Sequence, residues 1–403
     1  MKVGIVGLGN VGLVTAACLA NNDHSVIGID NIPEKIRVLK LGSVSIFEPE
    51  LREKILAAKG DLTFSTDYAE LARCSAVFLC VPTPNNGTEI DLRSVFEAAD
   101  SVSHYAIDSV LIIMSTVIPG TAQTVYQRTG MNVISNPEFT REGSAVHDTE
   151  HLDRVVIGGK STEIAQKIWR FTGASMVVST NENAELIKYA SNPFLAVKIS
   201  FINQQSHLCE GIENTDVNFI ARGMGIDHRI STEFLRAGLG YGACFSKDTV
   251  AILKFAMKYG IDLSIIRSAI EYNESIIPDL VNKITEKSGT ISGNGICVLG
   301  LSFKDYTDDL RESRSLRLIE NLKSIGAIVK TYDPVVKMVV EVTTFNDLRN
   351  CITSSEIVIT ATELKDFSDI DPLLLKGKNV FDLRRVFDPE QVDIIMGVGI
   401  GKN

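Results

Sequence analysis

The sequence predicts an α/β protein: two doubly wound, mostly parallel sheets, each covered by helices, joined by a central helical region with one long helix. Three observations predict it. Strand-like apolar runs alternate with helical patterns up to about residue 180, as a parallel sheet requires. From there to about residue 287 the pattern is helical, with no convincing strand. After a small polar linker, Ser288–Asn294 (SGTISGN), the alternation resumes. The expected division is 1–180, 181–287 and 288–403, and 403 residues suffice for two or three cores.

The first sheet opens with the apolar run Val3–Val6, then Gly7-Leu8-Gly9-Asn10-Val11-Gly12, a helical segment through Leu19, and a second strand, Ser25–Ile29, ending at Asp30. A GxGxxG turn between strand and helix, with an acid about 20 residues on, marks a Rossmann-like dinucleotide site. Gly7 makes the tight turn, Gly9 lets the backbone approach a pyrophosphate, and Gly12 allows close helix–strand packing, with Asn10 and Val11 in the same cradle. Asp30 would accept from the adenosine ribose, which favours NAD over NADP; Lys35 is close enough to soften that preference. Further strands are expected at Ala76–Val81, Ser109–Met114, Asn132–Ser135, Arg154–Gly158 and Ser175–Val178. Ligands bind at the carboxyl ends of such strands. Thr83 (in Val81-Pro82-Thr83-Pro84), Thr116 (in Ser115-Thr116) and the segment Asn136 to Gly143 are therefore candidates. Glu138 and Glu142 offer paired carboxylates for proton handling; the alternative is an Asx-Pro turn followed by a solvated helix start.

The long helix is expected from Asn181 to about Gly211. Lys188 and Asn192 are i, i+4 and share one face, and Pro193 should kink the helix there or remove a backbone bond. The pair lines a cavity or is simply an exposed polar face. Further helices are expected at Asp216–Met224 and Leu263–Lys287. Between them Gly238-Leu239-Gly240-Tyr241-Gly242-Ala243-Cys244-Phe245-Ser246-Lys247-Asp248 delivers one cysteine to the start of a helical run. A helix N-terminus and a nearby lysine both favour a thiolate, and Asp248 would serve as N-cap or as base. An inert core cysteine beside a glycine turn is the alternative.

In the second sheet the expected strands are Ile296–Leu299, Ala327–Tyr332, Glu356–Thr360 and Asn379–Phe381, with a helix ending at Ile325. It lacks the full glycine fingerprint. Lys304, Arg311, Arg384 and Arg385 put cations where strands end, which suits a diphosphate.

Composition narrows the partners. With 45% hydrophobic and 22% charged residues the chain reads as an ordinary soluble protein, and a net charge of −10 argues against nucleic acid. No apolar run is long enough to span a membrane, and Met1 leads straight into a strand without signal-peptide organisation. The seven cysteines show no metal-ligand spacing. Their odd number suggests a reducing compartment, with neither a disulfide framework nor a metal site, so a cytoplasmic location is expected.

Taken in order, the N-terminal GxGxxG, Val-Pro-Thr-Pro, Ser-Thr, Asn-Pro-Glu-Phe-x-Arg-Glu-Gly, Lys-x-x-x-Asn, the glycine loop with Cys-Phe-x-Lys-Asp, Gly-Leu-Ser-Phe-Lys, Asp-Asp-x-Arg-Glu-Ser and Phe-Asp-x-Arg-Arg cover nearly the whole chain. They resemble the nucleotide-sugar 6-dehydrogenases, the UDP-glucose/GDP-mannose dehydrogenase family. The resemblance implies oxidation of a sugar C6 alcohol to the carboxylate in two hydride transfers to NAD. It implies Cys244 as the nucleophile that traps the aldehyde as a thiohemiacetal on the way to a thioester, Lys188 as oxyanion stabiliser with Asn192 beside it, and Asp248 with Thr116 and a water managing protons. Glu142 would be the base for hydrolysis and Glu138 would assist or bind. The same resemblance puts Thr83, Thr116, Glu142 and Arg311 on the cofactor side. It puts Tyr241, Gly242, Lys304 and Arg384 against the UDP-sugar, and Arg229 at the substrate site of a partner subunit in a homodimer built on the central helix, or a larger assembly.

Gly42–Leu51 (GSVSIFEPEL) resembles the UDP-glucose branch, with departures at Ser45 and Glu50; enzymes for UDP-N-acetylmannosamine or GDP-mannose share the catalytic set. Other departures are a glycine loop one residue shorter than the family's, Ser246 for the usual proline, Pro193 after Asn192, and Gln204 where glutamate is common. A single-hydride β-hydroxyacid dehydrogenase would lack the cysteine and the second sheet. A non-catalytic nucleotide-binding regulator is the remaining alternative, raised by the shortened loop.

Overall fold

Strands β1 (Lys2–Val6), β2 (Ser25–Ile29), β3 (Leu62–Ser65), β4 (Ala76–Leu79), β5 (Val110–Ile113), β6 (Val133–Ser135), β7 (Arg154–Gly158) and β8 (Ser175–Ser179) form one sheet in the order β3-β2-β1-β4-β5-β6-β7-β8. The computed structural model describes residues 1–85, 90–302, 307–339 and 342–401. It divides into two units, Met1–Ser191 and Asn192–Asn403, and this sheet belongs to the first. Every neighbouring pair is parallel except β6 and β7, which meet antiparallel at Ser135 and Gly158. The central strands β4 and β5 are apolar without interruption because both of their faces are covered. Ala76 and Phe78 of β4 enter one core, while Val77 and Leu79 enter the core on the opposite face. Val77, Phe78 and Leu79, fully removed from water, each contribute about 2 kcal/mol. The chain order reverses between β1 and β4, which puts the ligand crevice at their carboxyl ends.

The second unit has a six-stranded, wholly parallel sheet, β11-β10-β9-β12-β13-β14, from β9 (Gly295–Leu299), β10 (Ile328–Tyr332), β11 (Thr343–Phe345), β12 (Ile357–Thr360), β13 (Asn379–Asp382) and β14 (Ile394–Gly397). Its first turn repeats that of the first sheet. Gly300 takes φ +95° where Gly7 takes +91°. The Leu301 amide donates to Asp333 at 2.8 Å where the Leu8 amide donates to Asp30 at 2.9 Å. Both sheets are Rossmann-like. In the chain between them comes the helical region, with helices Asn181–Glu210, Val217–Gly225, Ala243–Met257 and Ser264–Ser288 and no strand among its described residues.

The central helix, Asn181–Glu210, runs thirty residues through Pro193 as one element. Of the two outcomes expected at this proline, the lost bond is the one its chemistry requires, since Pro193 has no N–H for the Tyr189 carbonyl. One expectation fails outright. Cys297 on β9 and Cys351 in the helix Leu348–Thr353 are joined as a disulfide, with Cα atoms 5.8 Å apart. The cysteine count and local spacing gave no sign of it, because 54 residues separate the pair and only the packing of helix on sheet brings them together. No helix among the described residues is long and apolar enough to cross a membrane.

Candidate active site

The glycines after β1 divide by function. A Cβ on Gly7 would lie 2.6 Å from the Cys80 carbonyl oxygen, and one on Gly12 would lie 1.9 Å from that of Gly7. These two make the turn and the helix–strand approach possible. Gly9 has no atom within 4 Å of a Cβ position, so the space before it is open. It is also the N-cap of the helix Asn10–Ala20, with no side-chain cap, which leaves that helix end to an anion. Asp30, buried at the end of β2, accepts from the Leu8 amide and from Lys35 Nζ at 2.6 Å. Open glycine backbone, a helix N-terminus without a side-chain cap and a buried carboxylate at the end of β2 fit a dinucleotide.

The next carboxyl ends are cross-linked. Thr83 Oγ1 donates to the Thr116 carbonyl at 2.9 Å, and Ser115 Oγ donates to the Val81 carbonyl at 2.7 Å, tying β4 to β5. After β6, Asn136 is locked by Trp169 Nε1, which donates to its Oδ1, and by its own bond to the Val156 carbonyl. That corner aims Glu138. Lys188 Nζ donates to the Glu138 carbonyl at 2.6 Å and to its Oε1 at 3.0 Å, while Thr140 donates twice to Oε2. Burial would raise the Glu138 carboxyl, but the Lys188 ammonium and the Thr140 bonds outweigh it and hold it below the ordinary range. The Phe139 ring carries Arg154 on its face at 4.0 Å and Lys188 at 5.2 Å. Glu142 accepts from Asn10 Nδ2 at 2.8 Å, which connects the cofactor turn to this acidic segment. Glu48 receives the amides of Gly143 and Ala145 and fixes the segment's far end.

In the second unit, Asn192 Nδ2 donates to Asp248 Oδ2 at 2.6 Å, and both side chains are buried. Cys244 is the second residue of the helix Ala243–Met257 and is exposed, whereas Cys18, Cys74 and Cys209 are buried. The helix-terminal placement expected of Cys244 is therefore realised. The N-cap expected of Asp248 is not: Gly242 holds that position, and Asp248 lies a full turn inside the helix beside Lys247, 3.9 Å away. The glycine loop is packed from outside. A Cβ on Gly242 would meet the Glu312 carbonyl oxygen at 2.3 Å, and one on Gly238 would meet Arg384 at 2.7 Å. The Tyr241 ring is buried near Phe245, and burial pushes its hydroxyl up to about 12.

The remaining cations differ in readiness. Arg384 donates to the Ala361 carbonyl at the end of β12 and is mostly buried. Arg385 is bound to Asp216, Arg311 to Asp309 and Arg229 to Asp227, the last two largely exposed. Lys304 lies outside the described residues. The structure thus pairs Lys188 with Glu138, Asn192 with Asp248, Thr83 with Thr116, and Asn10 with Glu142.

Three family models match in succession: the NAD binding domain of the UDP-glucose/GDP-mannose dehydrogenase family over residues 1–171, its central domain over 182–275, and its UDP binding domain over 297–389. The chain belongs to the UDP-glucose/GDP-mannose dehydrogenase family. Its cofactor is accordingly NAD. The UDP-glucose 6-dehydrogenase TuaD of Bacillus subtilis is 35% identical over 96% of this chain and 90% of its own. A UDP-glucose dehydrogenase from the hyperthermophilic archaeon Pyrobaculum islandicum is 34% identical, with a TM-score of 0.93 over 100% of this chain and 98% of that one. A UDP-D-ManNAc dehydrogenase from Pyrococcus horikoshii is 27% identical, with a TM-score of 0.89 over 99% of both. In this family dehydrogenase the second Gly-Leu turn, at Gly300, falls in the UDP binding domain.

Several polar residues around these sites escaped sequence reading. Glu185 accepts from the Gly120 and Ala122 amides and from Ser135 Oγ. It lies three residues before Lys188, so helical spacing was a usable signal. Asn273 and Arg314, which bond to the glycine loop, have no local signature at all.

Proposed function

We propose that this dehydrogenase oxidises the C6 alcohol of UDP-glucose to UDP-glucuronate in two steps. NAD, when bound, would supply the hydride acceptor for both steps. Asp248, beside Lys247 in the first turns of its helix and bonded to Asn192, takes the alcohol proton through a water, with Thr116 assisting. The Cys244 thiolate adds to the aldehyde carbon, forming a C–S bond and an alkoxide; Lys188, with Asn192 beside it, stabilises that oxyanion. Loss of the second hydride leaves a thioester. Water activated by Glu142 cleaves the C–S bond, releasing the carboxylate and regenerating the thiol. Glu138 holds Lys188 and assists in binding. Lys304, Arg384, Tyr241 and Gly242 would hold the UDP-sugar, and Gly7, Gly9, Asn10, Val11, Gly12, Asp30, Lys35, Thr83 and Arg311 the cofactor.

One observation supports the four-electron reading above the others: Cys244 is exposed in the first turn of its helix, behind an uncapped glycine. A single-hydride enzyme has no use for a thiol there. Two NADH released per UDP-glucose is the expected stoichiometry, and a ratio of one would sink the reading. Turnover preferring UDP-N-acetylmannosamine or GDP-mannose would move the substrate within the family and keep the chemistry.

The same reading makes the protein a cytoplasmic homodimer. In its support, the central helix exposes Leu186, Phe194, Phe201 and Leu208, spaced eight, seven and seven residues apart, a stripe suited to a second copy. Exposed Arg229 would then reach the partner's sugar. An active monomer on sizing chromatography would contradict it. The organisation into 1–180, 181–287 and 288–403 is part of this proposal.

A further inference from the structure

The loop that delivers Cys244 is held by side chains from three other helices. Asn203 of the central helix accepts from the Gly238 amide at 2.9 Å. Asn273, in the helix Ser264–Ser288, engages both backbone groups of Tyr241: its Oδ1 accepts from the Tyr241 amide at 2.8 Å and its Nδ2 donates to the Tyr241 carbonyl at 3.1 Å. Arg314, the first residue of the helix Arg314–Ser324, donates through Nε to the Leu239 carbonyl at 2.9 Å and through a terminal nitrogen to the Asn273 carbonyl at 2.5 Å. Asn203, Asn273 and Arg314 are all buried.

Gly240 records the grip in its own identity. It takes φ +86°, and a Cβ there would lie 2.3 Å from Asn273 Oδ1. The turn carrying Arg314 is itself fixed, because Ser313 Oγ donates to the Leu301 carbonyl at 2.6 Å, just past the end of β9. Glu312, at φ +52°, sets its carbonyl against Gly242. Three consecutive residues thus hold Gly242, the end of β9 and Leu239. The loop backbone they hold is itself buried at Gly238, Leu239 and Tyr241, so water cannot satisfy these groups, and the side chains that pair with them fix the path of the loop.

We infer that Asn273 and Arg314 are positioning residues of the reaction: by holding Leu239 and Tyr241 they fix the loop backbone and so place the Cys244 sulfur for attack. The inference rests on the reading of Cys244 as nucleophile. It predicts that loosening either hold lowers kcat far more than it weakens NAD binding, whose glycine turn lies in the first unit.

The test compares Arg314→Ala, Arg314→Lys and Asn273→Asp with wild type by steady-state kinetics, thermal unfolding and iodoacetamide alkylation of Cys244 in the native protein. For Arg314→Ala, kcat should fall about 100-fold, as for a displacement of about 1 Å at the reacting atom, with KM for NAD changed less than about twofold. The alkylation rate of Cys244 should change with it, and millimolar guanidinium should restore part of kcat to Arg314→Ala alone. Folded variants that keep kcat within about threefold of wild type would overturn the inference, as would a kcat loss that follows Tm with alkylation unchanged. If Arg314→Ala does not fold, Arg314→Lys and Asn273→Asp carry the test. Wild-type hydrogen exchange decides independently: slow amides at Gly238 and Tyr241 are required, and fast ones overturn it. Full activity in Cys244→Ser would remove the nucleophile reading itself, while alkylation and exchange would still report on the loop.

Discussion

Lys188 bonds Glu138 twice, once at the backbone carbonyl and once at the carboxylate, so one ammonium fixes both the path and the charge of the segment after β6. Removing the carboxylate charge leaves a buried ammonium short of its partner. Glu138→Gln should destabilise the protein by about 3 kcal/mol. The loss should depend on pH. The folded Glu138 carboxyl lies below its ordinary value of 4.5, so its contribution is complete above about that pH and disappears as pH falls through the folded value. Urea unfolding from pH 3 to 7 should therefore show wild type and Glu138→Gln converging in acid; parallel curves would contradict the pairing.

The glycines of the cofactor turn should separate stability from binding. Gly12→Ala forces a methyl to within 1.9 Å of the Gly7 carbonyl oxygen and should cost about 3 kcal/mol. Gly9→Ala meets nothing in the protein, so Tm should hold while KM for NAD rises, because the methyl occupies the space for the pyrophosphate. Equal losses of Tm in the two variants would disprove this division.

These turns were legible in the sequence because GxGxxG compresses steric rules into adjacent letters, as the strand runs of β1, β4, β5 and β9 compress double-sided burial. What was missed has a common cause. β3, β11 and β14 went unread, and all three are sheet edges of three or four residues, too short for an apolar run to show. Cys244, Lys188 and Asn192 were found because their neighbours announce them within a few residues. Asn273 and Arg314 act on a loop 32 and 75 residues away, from helices whose local sequence serves only helix formation.

The Cys297–Cys351 bond should be measurable by counting thiols. Of seven cysteines, two are paired, so denatured, unreduced protein should alkylate at five positions. Both partners are fully buried, which shields the bond from soluble reductant until the second sheet opens. Closing a loop across 54 residues restricts the unfolded chain by an amount worth about 4 kcal/mol. Reduction should therefore lower Tm, and the Cys297→Ala, Cys351→Ala double variant should match the reduced wild type. Seven reactive thiols without reductant would rule the bond out.

Glu185 supplies a second pH dependence, opposite in sign to that of Glu138. Burial pushes its carboxyl up from 4.5 to about 7, against the bonds from Ala122, Gly120 and Ser135 that favour the anion. A folded value above the unfolded one means that the native state holds the proton more tightly. The contribution is complete below about pH 4.5 and is lost as pH rises through about 7, by about 3 kcal/mol across the range. Glu185→Gln has no proton to lose. Its Tm should vary less between pH 5 and 8.5 than that of wild type, although the amide cannot accept at both Gly120 and Ala122 and so starts lower. Because the same carboxylate anchors the turn that follows Thr116, the variant should also lose kcat at every pH. A wild-type stability that climbs steadily from pH 5 to 8.5 in step with Glu185→Gln would show that this carboxyl titrates in the ordinary acid range.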